Sequence, residues 1–264
     1  MGDSRRYFRI LRKAALLNFT NIVVSRFDVW TYVPSKLIRM GFFFLFATSV
    51  FAPGTKIAGY TPEEALLFFA FMNFIDVVLQ LFYRGLTDHP RIIKNGDFDF
   101  ILTKPINPLW YCTFRIFDIL DLITLPAVFA FLGYALWQWP GTIDAGTALI
   151  TFVLVLCAFI IALCLNIMVA AIAFWSTETT NIHWIYRDLV YVSRFPPEVF
   201  PVAVRTVMTY IIPIFVIVSF PTKALLNRLS AFDLIWAMMA TIGLVFVTNY
   251  VWQKGLRHYT SASS

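Results

Sequence analysis

The chain has 264 residues, of which 59% are hydrophobic and only 14% are charged. Soluble domains contain about 25% charged residues, so this chain has too little polar surface to coat a water-soluble domain. The composition predicts an integral membrane protein instead. The net charge of +6 does not indicate a nucleic-acid partner, because the Lys and Arg residues lie at the ends of apolar runs, where the positive-inside bias places them.

The N-terminal residues 5–24 predict an amphipathic helix that lies flat at the membrane interface. Its basic face has Arg5, Arg9, Arg12 and Lys13, and its apolar face has Phe8, Leu11, Ala15 and Ile22. The cations would lie near anionic lipid headgroups. The alternative interpretation is a positive-inside anchor with no further role. It does not resemble a cleavable signal peptide, because it has no uninterrupted apolar core.

Membrane spans were located as uncharged runs, since a transmembrane helix needs about 20 apolar residues. The runs are residues 40–55, the stretch from Glu64 to Arg84 with Asp76 inside it, 122–143, 145–177 and 234–253. Basic residues precede the first run, occupy the 84–108 loop and follow the last run. Both termini and this loop are therefore predicted to be cytoplasmic. An even number of spans is then required, and six is the simplest total.

The fifth span has two candidate positions, residues 206–222 or residues 178–195. In the second case residues 198–222 fold back as a helical hairpin in the outer leaflet. We favour the second, because the region is broken by Pro196, Pro197, Pro201, Pro213 and Pro221. It conflicts with the charge bias, however, since it leaves Arg194, Arg205, Lys223 and Arg228 outside or in the hairpin. The predicted fold is thus an all-α membrane protein with six spans, an interfacial helix and a proline-broken outer hairpin.

Several polar residues fall inside the spans at helical spacing. They are Asn73, Asp76, Gln80 and Arg84 in the second span, Arg115, Asp118 and Asp121 before and in the third, and Lys36 and Arg39 before the first. They form either a polar entrance for a substrate or ion, or ion pairs of Lys36 or Arg39 with the aspartates across packed helices. Charges of both signs at similar depth favour the pairs. Proton coupling is a weaker third reading.

No pattern of enzyme chemistry is present in the sequence. It lacks the metalloprotease, nucleophile-elbow and phosphate-binding-loop motifs. Cys112, Cys157 and Cys164 lie in apolar stretches and have neither a disulfide framework nor zinc spacing. We therefore expect no metal site and no cofactor in this chain. If ATP drives the protein, a separate chain must bind the ATP and its Mg²⁺.

The loop at residues 84–108 is the longest polar segment between spans. Residues 87–95 predict a short helix with Thr87 or Asp88 as its cap and Gly96 as its end. The following KPINPLW run has two prolines, which stiffen the return into the third span. A rigid helix held between two spans can pass the motion of a soluble partner into the membrane helices.

The run GDFDFILTKPINPL resembles a stretch of type-2 ABC exporter permeases, in the branch of uncharacterised and drug-exporter-like subunits. The matching residues are Gly96, Asp99, Leu102, Lys104, Pro105, Asn107, Pro108 and Leu109. The GYTPEEALLF run at residues 59–68 resembles the lead of that family into its second span. Only the residues 96–109 are specific to the family.

The resemblance implies a single permease domain over residues 1–264 in a bacterial inner membrane. Such permeases pair with a second, identical or homologous chain and bind two ATPase subunits. The 87–95 helix would dock into an ATPase cleft, with coupling residues Asp88, Arg91, Lys94, Asn95, Gly96, Asp97 and Asp99. The chain would export a hydrophobic or amphipathic substrate without being an ATPase itself, and the hairpin would cap the outer side.

Three other classes of protein compete with this interpretation. An ion-driven secondary transporter predicts internal repeats and an ionisable site at the bilayer midplane, and neither is convincing here. A lipid-modifying membrane enzyme needs clustered catalytic groups, for which Arg115, Asp118 and Asp121 are the only candidates. A non-transporting scaffold is the third.

Overall fold

The computed structural model describes residues 7, 9–13, 16, 26–50, 56, 58–176 and 180–260. Within these ranges the protein is helical and has no β-strand. The predicted interfacial helix at 5–24 lies largely outside the described residues, although residues 9–13 are helical.

Between residues 26 and 260, the described part of the chain has five long helices and six short ones. The long ones are α1 (Arg26–Val50), α2 (Pro62–Thr87), α6 (Ile119–Gln138), α7 (Ala145–Ala171) and α11 (Ala231–His258). The short ones are α3 (His89–Lys94), α4 (Phe98–Leu102), α5 (Pro108–Phe114), α8 (Thr180–Val192), α9 (Val202–Thr206) and α10 (Ile214–Leu225). A 3₁₀ turn, Ile172–Phe174, extends α7, and a π-helical turn, Val207–Ile211, extends α9.

The starts of the long helices follow from their capping residues. Thr61 and Glu64 form a capping box at α2, and Ser230 and Asp233 form one at α11. Each pair satisfies backbone N–H groups that have no partner inside the helix. Asp144 accepts from two backbone N–H groups at the start of α7. These polar clusters fix where the chain turns back into the apolar bundle.

Among the residues that the structure describes, four helical stretches are long and apolar enough to cross a bilayer: Pro62–Lys94, Ile119–Gln138, Ala145–Phe174 and Ala231–His258. The number rises to five if the bent pair Val202–Ile211 and Ile214–Leu225 is one span. They coincide with the second, third, fourth and last predicted spans. Residues 51–55 of the predicted first span lie outside the described residues, so the six-span count stays a prediction.

The segment between α8 and α11 is a bent hairpin. Its two helical halves meet at 95°, at Pro213, which has no N–H with which to continue a helix. Lys223 donates to Glu198 at 2.5 Å, so the two ends of the segment meet. A straight span over 206–222 therefore does not occur, and the segment enters and leaves at the same end. Its location in the outer leaflet stays a prediction.

The end of the bundle where the hairpin begins and ends is called the hairpin end; it contains Tyr60, Glu64, Glu198, Lys223 and Arg228. Tyr60 donates to Glu198 at 3.2 Å, and Arg228 donates to Glu64 at 2.8 Å. The helices α2 and α11 begin here. Two of the cations that conflicted with the charge bias, Lys223 and Arg228, are thus paired with carboxylates, which removes their net charge from this end.

Helix α8 has only 13 residues, about 20 Å at the α-helical rise. Its His183 lies 3.1 Å from Thr87, at the opposite end of α2 from Glu64. The chain after α8 reaches Glu198 at the hairpin end. Residues 183–198 therefore run from one end of the bundle to the other, close to the predicted position 178–195.

The main hydrophobic core surrounds α2, which packs against α6, α7 and α10. The most apolar 18 residues of the Pro62–Lys94 stretch, which is mainly α2, are 72% buried. The corresponding 18 residues of α11 are only 17% buried. The outward residues of α11 and α6 are large and apolar, including Phe246, Tyr250 and Phe129. These faces point away from the bundle, while α2 forms its centre.

Gly85 allows α2 to approach α5 closely. A Cβ atom at this position would overlap the backbone oxygen of Cys112 and lie 2.8 Å from that of Thr113. Neither backbone atom can move aside as a flexible side chain could. We predict that Gly85→Ala lowers the free energy of unfolding by about 1–3 kcal/mol, as overpacking does, and lowers the melting temperature of the purified protein in detergent.

Gly133→Ala is the matched control in α6, because nothing lies within 4 Å of the added Cβ. Alanine there should be neutral or stabilising, since Gly in a helix costs about 0.5–1 kcal/mol relative to Ala. Equal melting temperatures of the two variants would show that α2 and α5 do not pack this closely.

Candidate functional site

Two short helices, α3 and α4, follow α2 directly and form the α3–α4 unit, residues 88–102. The helix predicted at 87–95 begins at His89, because Thr87 is still the last residue of α2 and Asp88 separates the two helices. The DFDFIL run is helical as well, as α4. Gly96 joins α3 to α4 with φ +77°, a left-handed conformation that only glycine adopts without strain.

The α3–α4 unit has a charged outer face and an apolar inner face. Arg91, Lys94, Asn95 and Asp97 are exposed, together with Phe100, whose side chain is 70% exposed. The inner residues are Ile92, Ile93, Phe98 and Ile101, and all four are buried. The unit therefore presents charges outward while it is fixed to the bundle by apolar packing.

An aromatic cluster fixes the inner face to the ends of two long helices. The ring of His89, fully buried, lies 5.4 Å from Phe98 and 5.2 Å from both Phe174 and Trp252. Phe174 ends the α7 stretch and Trp252 lies in the last turns of α11. The cluster thus packs α3 directly against the ends of α7 and α11.

Three hydrogen-bonded side-chain pairs reinforce the unit. Tyr259, just after α11, donates to Asp99 of α4 at 3.0 Å. Burial and the Asp99 carboxylate raise the pKa of Tyr259 to about 12, so its hydroxyl remains a donor at neutral pH. Asp88 accepts from Arg91 at 2.6 Å and also from Arg115. The bond from Arg115 to Asp88 ties the α2–α3 junction to the chain between α5 and α6.

The KPINP run starts α5. The side chain of Asn107 accepts from the backbone N–H of Trp110 at 3.1 Å, and Pro108 occupies the first turn, where its missing N–H costs nothing. Lys104 donates to Tyr111 at 2.9 Å. Pro105 lies in the turn between α4 and α5. The motif therefore terminates the α3–α4 unit and sets the direction in which the chain re-enters the bundle.

The polar residues inside the bundle form three ion pairs between helices. Lys36 of α1 pairs with Asp121 of α6, which is fully buried and also accepts from Tyr32 at 3.1 Å. Arg39 of α1 lies 3.6 Å from Asp76 of α2, and Arg84 of α2 lies 3.4 Å from Asp118. Asn73 only donates to the Phe69 carbonyl of its own helix. The pairs connect α1, α2 and the start of α6.

A cavity of about 150 Å³ lies between α2, α7 and α8. Of the residues singled out in the sequence, Asp76, Gln80 and Arg84 line it, but Lys36, Asp118 and Asp121 do not. Among its other polar residues, sequence reasoning missed Asn166, His183 and Arg187, which α7 and α8 contribute.

The sequence model of one protein family, described as "ABC-2 family transporter protein", matches residues 37–263. The chain belongs to the ABC-2 transporter family. No curated protein matches the chain. Its helical bundle is accordingly the membrane domain of an ABC transporter, and membership of the family implies association with ABC ATPase subunits.

In this ABC-2 permease the predicted residues divide between two places. The predicted coupling residues, Asp88 to Asp99, lie on the α3–α4 unit. The predicted polar residues of the spans lie in the ion pairs and at the cavity, and Asp76 and Arg84 belong to both. The missed residues carried one signal: His183 and Arg187 are four apart and share a face of α8.

We predict that Asp121→Ala in this permease lowers its yield and melting temperature strongly, while transport per folded molecule changes less. Removing one partner of a buried ion pair leaves the other charge uncompensated, which costs about 3–5 kcal/mol. The double variant Lys36→Met with Asp121→Ala should recover part of the loss. Thermal unfolding in detergent and a transport assay normalised to folded protein measure the two effects.

Arg84→Gln is the comparison for that experiment, because Arg84 is 46% exposed in its pair with Asp118, whereas Lys36 and Asp121 are 11% and 0% exposed. Its melting temperature should fall less than that of Asp121→Ala, since water partly solvates the more exposed pair. An Asp121→Ala protein that is fully stable but prefers a different substrate would contradict the structural role and favour a substrate path.

Proposed function

We propose that this permease exports a hydrophobic or amphipathic substrate, driven by ATP and Mg²⁺ that separate ATPase subunits bind. The observation that carries the proposal is the construction of the α3–α4 unit. Its outer face offers charges to a soluble partner, and its inner face packs on the ends of α7 and α11. Such a unit can receive movement on one side and transmit it on the other.

The distribution of charge supports a cytoplasmic location for the α3–α4 unit. Arg91, Lys94 and Lys104 are at this end, and the exposed Lys254 and Arg257 of α11 are close in sequence to Trp252, which packs on the unit. At the hairpin end Lys223 and Arg228 are paired with carboxylates. The contrast agrees with the positive-inside rule for a bacterial inner membrane protein with both termini in the cytoplasm.

We further propose that the permease acts with a second permease chain, identical or homologous. The outward apolar faces of α6 and α11 stay exposed in a single bundle. A second chain would cover part of this apolar surface, and lipid would cover the rest. The ion pairs give no support to an ion-driven transporter, since Asp76, Asp118 and Asp121 each have a cationic partner.

The deciding experiment is affinity purification of the chain from its native membrane in mild detergent, followed by identification of the proteins bound to it and an ATPase assay. A co-purifying ATPase subunit with vanadate-sensitive turnover is the expected result. A permease that is purified alone, without ATP hydrolysis, would contradict the proposal.

We predict that Lys94→Glu weakens binding of the ATPase subunit by at least about tenfold, because it reverses an exposed charge on the proposed docking face, and like charges across an interface cost several kcal/mol. Membrane insertion and thermal stability should not change, since the side chain has no ion-pair partner among the described residues. Arg91→Glu should act likewise, although it also removes the bond to Asp88. Co-purification of the ATPase measures the effect.

Lys56→Glu makes the same charge change near the hairpin end, on an exposed residue, and should leave ATPase binding unchanged. Normal ATPase recovery with both Lys94→Glu and Arg91→Glu would exclude the α3–α4 unit as the docking site.

A further inference from the structure

The cavity between α2, α7 and α8 contains an arginine that has no acidic partner among the described residues. Arg187 of α8 lines the cavity, and its Nε atom is buried without a hydrogen-bond partner. Its guanidinium group stacks on Trp184, 3.9 Å from the ring centroid, and lies 5.7 Å from the Tyr191 ring. The aromatic rings orient this cation but do not neutralise it.

The other charges at the cavity cancel. Asp76 has its partner in Arg39 at 3.6 Å, and Arg84 has its partner in Asp118 at 3.4 Å. Arg187 therefore leaves one uncompensated positive charge. An unpaired ionisable group in the membrane region has a high free-energy cost. An anion from outside the chain would therefore stabilise Arg187.

The cavity also has hydrogen-bond donors and acceptors that are partly unused. The Nε2 atom of His183 lies 3.1 Å from the hydroxyl of Thr87, whereas its Nδ1 atom is buried without a hydrogen-bond partner. Gln80 lines the cavity on the α2 side. His183 and Arg187 are one helical turn apart on the same side of α8, and both line the cavity. Carboxylates and phosphates match such a set of donors, because the planar guanidinium group of arginine binds two of their oxygen atoms at once.

The size of the cavity limits what it can hold. Its volume is about 150 Å³, below the roughly 300–1,000 Å³ of pockets that enclose a drug-sized ligand. It is large enough for a headgroup. Trp184 is 47% exposed and Arg84 46% exposed, so the cavity opens at the surface of the bundle. The apolar residues Leu79 and Val190 also line it.

We propose that this cavity binds the anionic headgroup of an amphiphile, a carboxylate or a phosphate on an apolar chain, with Arg187 as the anion-binding residue. The headgroup enters between α2 and α8 while the chain stays outside the cavity. The amphiphile is either the exported substrate, which rests on the proposed function, or a membrane lipid. The chemistry of recognition is the same in both cases.

The test uses the permease alone in nanodiscs of neutral phosphatidylcholine, with four probes that share one alkyl chain: dodecanoate, dodecyl phosphate, dodecanol and dodecyltrimethylammonium. Radiolabelled dodecanoate reports binding, and the other probes compete. The two anions should bind at least about tenfold more tightly than the alcohol, since hydrogen bonds to charged groups are the stronger class. The cation should compete least.

Arg187→Gln should weaken dodecanoate binding by about tenfold or more, and Arg187→Lys should retain part of it, because the charge remains while the planar group is lost. Arg205→Gln is the matched control, since Arg205 lies in α9 and does not line the cavity. Size-exclusion profiles establish that each variant is folded. The comparison of probes on the unaltered protein needs no variant.

Equal binding to the unaltered protein and Arg187→Gln, or tighter binding of the cation than of the anions, would overturn the proposal. The binding assay contains no ATPase, so its result is independent of whether an ATPase subunit co-purifies. Co-reconstitution with the ATPase then separates the two sources. ATP-driven transfer of dodecanoate across the membrane identifies an exported substrate, whereas unchanged occupancy and displacement by phosphatidylglycerol identify a resident lipid headgroup.

Discussion

A charged side chain in the hydrocarbon region is costly unless an opposite charge or a polar cavity accompanies it, and this constraint determines how the helices of the permease are joined. Lys36 and Asp121 attach α1 to α6 because neither can remain alone at that depth. The pairs of Arg39 and Arg84 fix both helices against α2 in the same way. Apolar packing gives the bundle its cohesion, while the pairs join α1, α2 and the start of α6.

The two ends of the bundle differ in charge and packing, as expected if only one of them binds a soluble ATPase subunit. At the hairpin end, carboxylates neutralise Lys223 and Arg228 and the chain folds back on itself. At the other end, the cations of the α3–α4 unit face outward, while His89, Phe174 and Trp252 pack beneath it. A soluble partner would therefore meet charge at the surface and act on a rigid aromatic contact below.

Much of the fold could be predicted from the sequence, because an uncharged run of sufficient length indicates a membrane span. The second, third, fourth and last runs correspond to helical stretches that can cross a bilayer. The start of α3 was placed two residues early, since α2 continues to Thr87. The helix α4 was missed because five residues with alternating acidic and apolar character carry no helical period.

The sequence alone determined the apolar, all-helical character of the chain, most of its spans and the motif that resembles ABC-2 permeases, because these depend on residues that are near one another along the chain. Only the tertiary structure decided which aspartate pairs with which cation, that the two ends of the hairpin meet at Glu198 and Lys223, and that His183 and Arg187 share a cavity with Gln80. Those contacts join residues that are distant in sequence, and side-chain type and spacing do not specify which helix faces which.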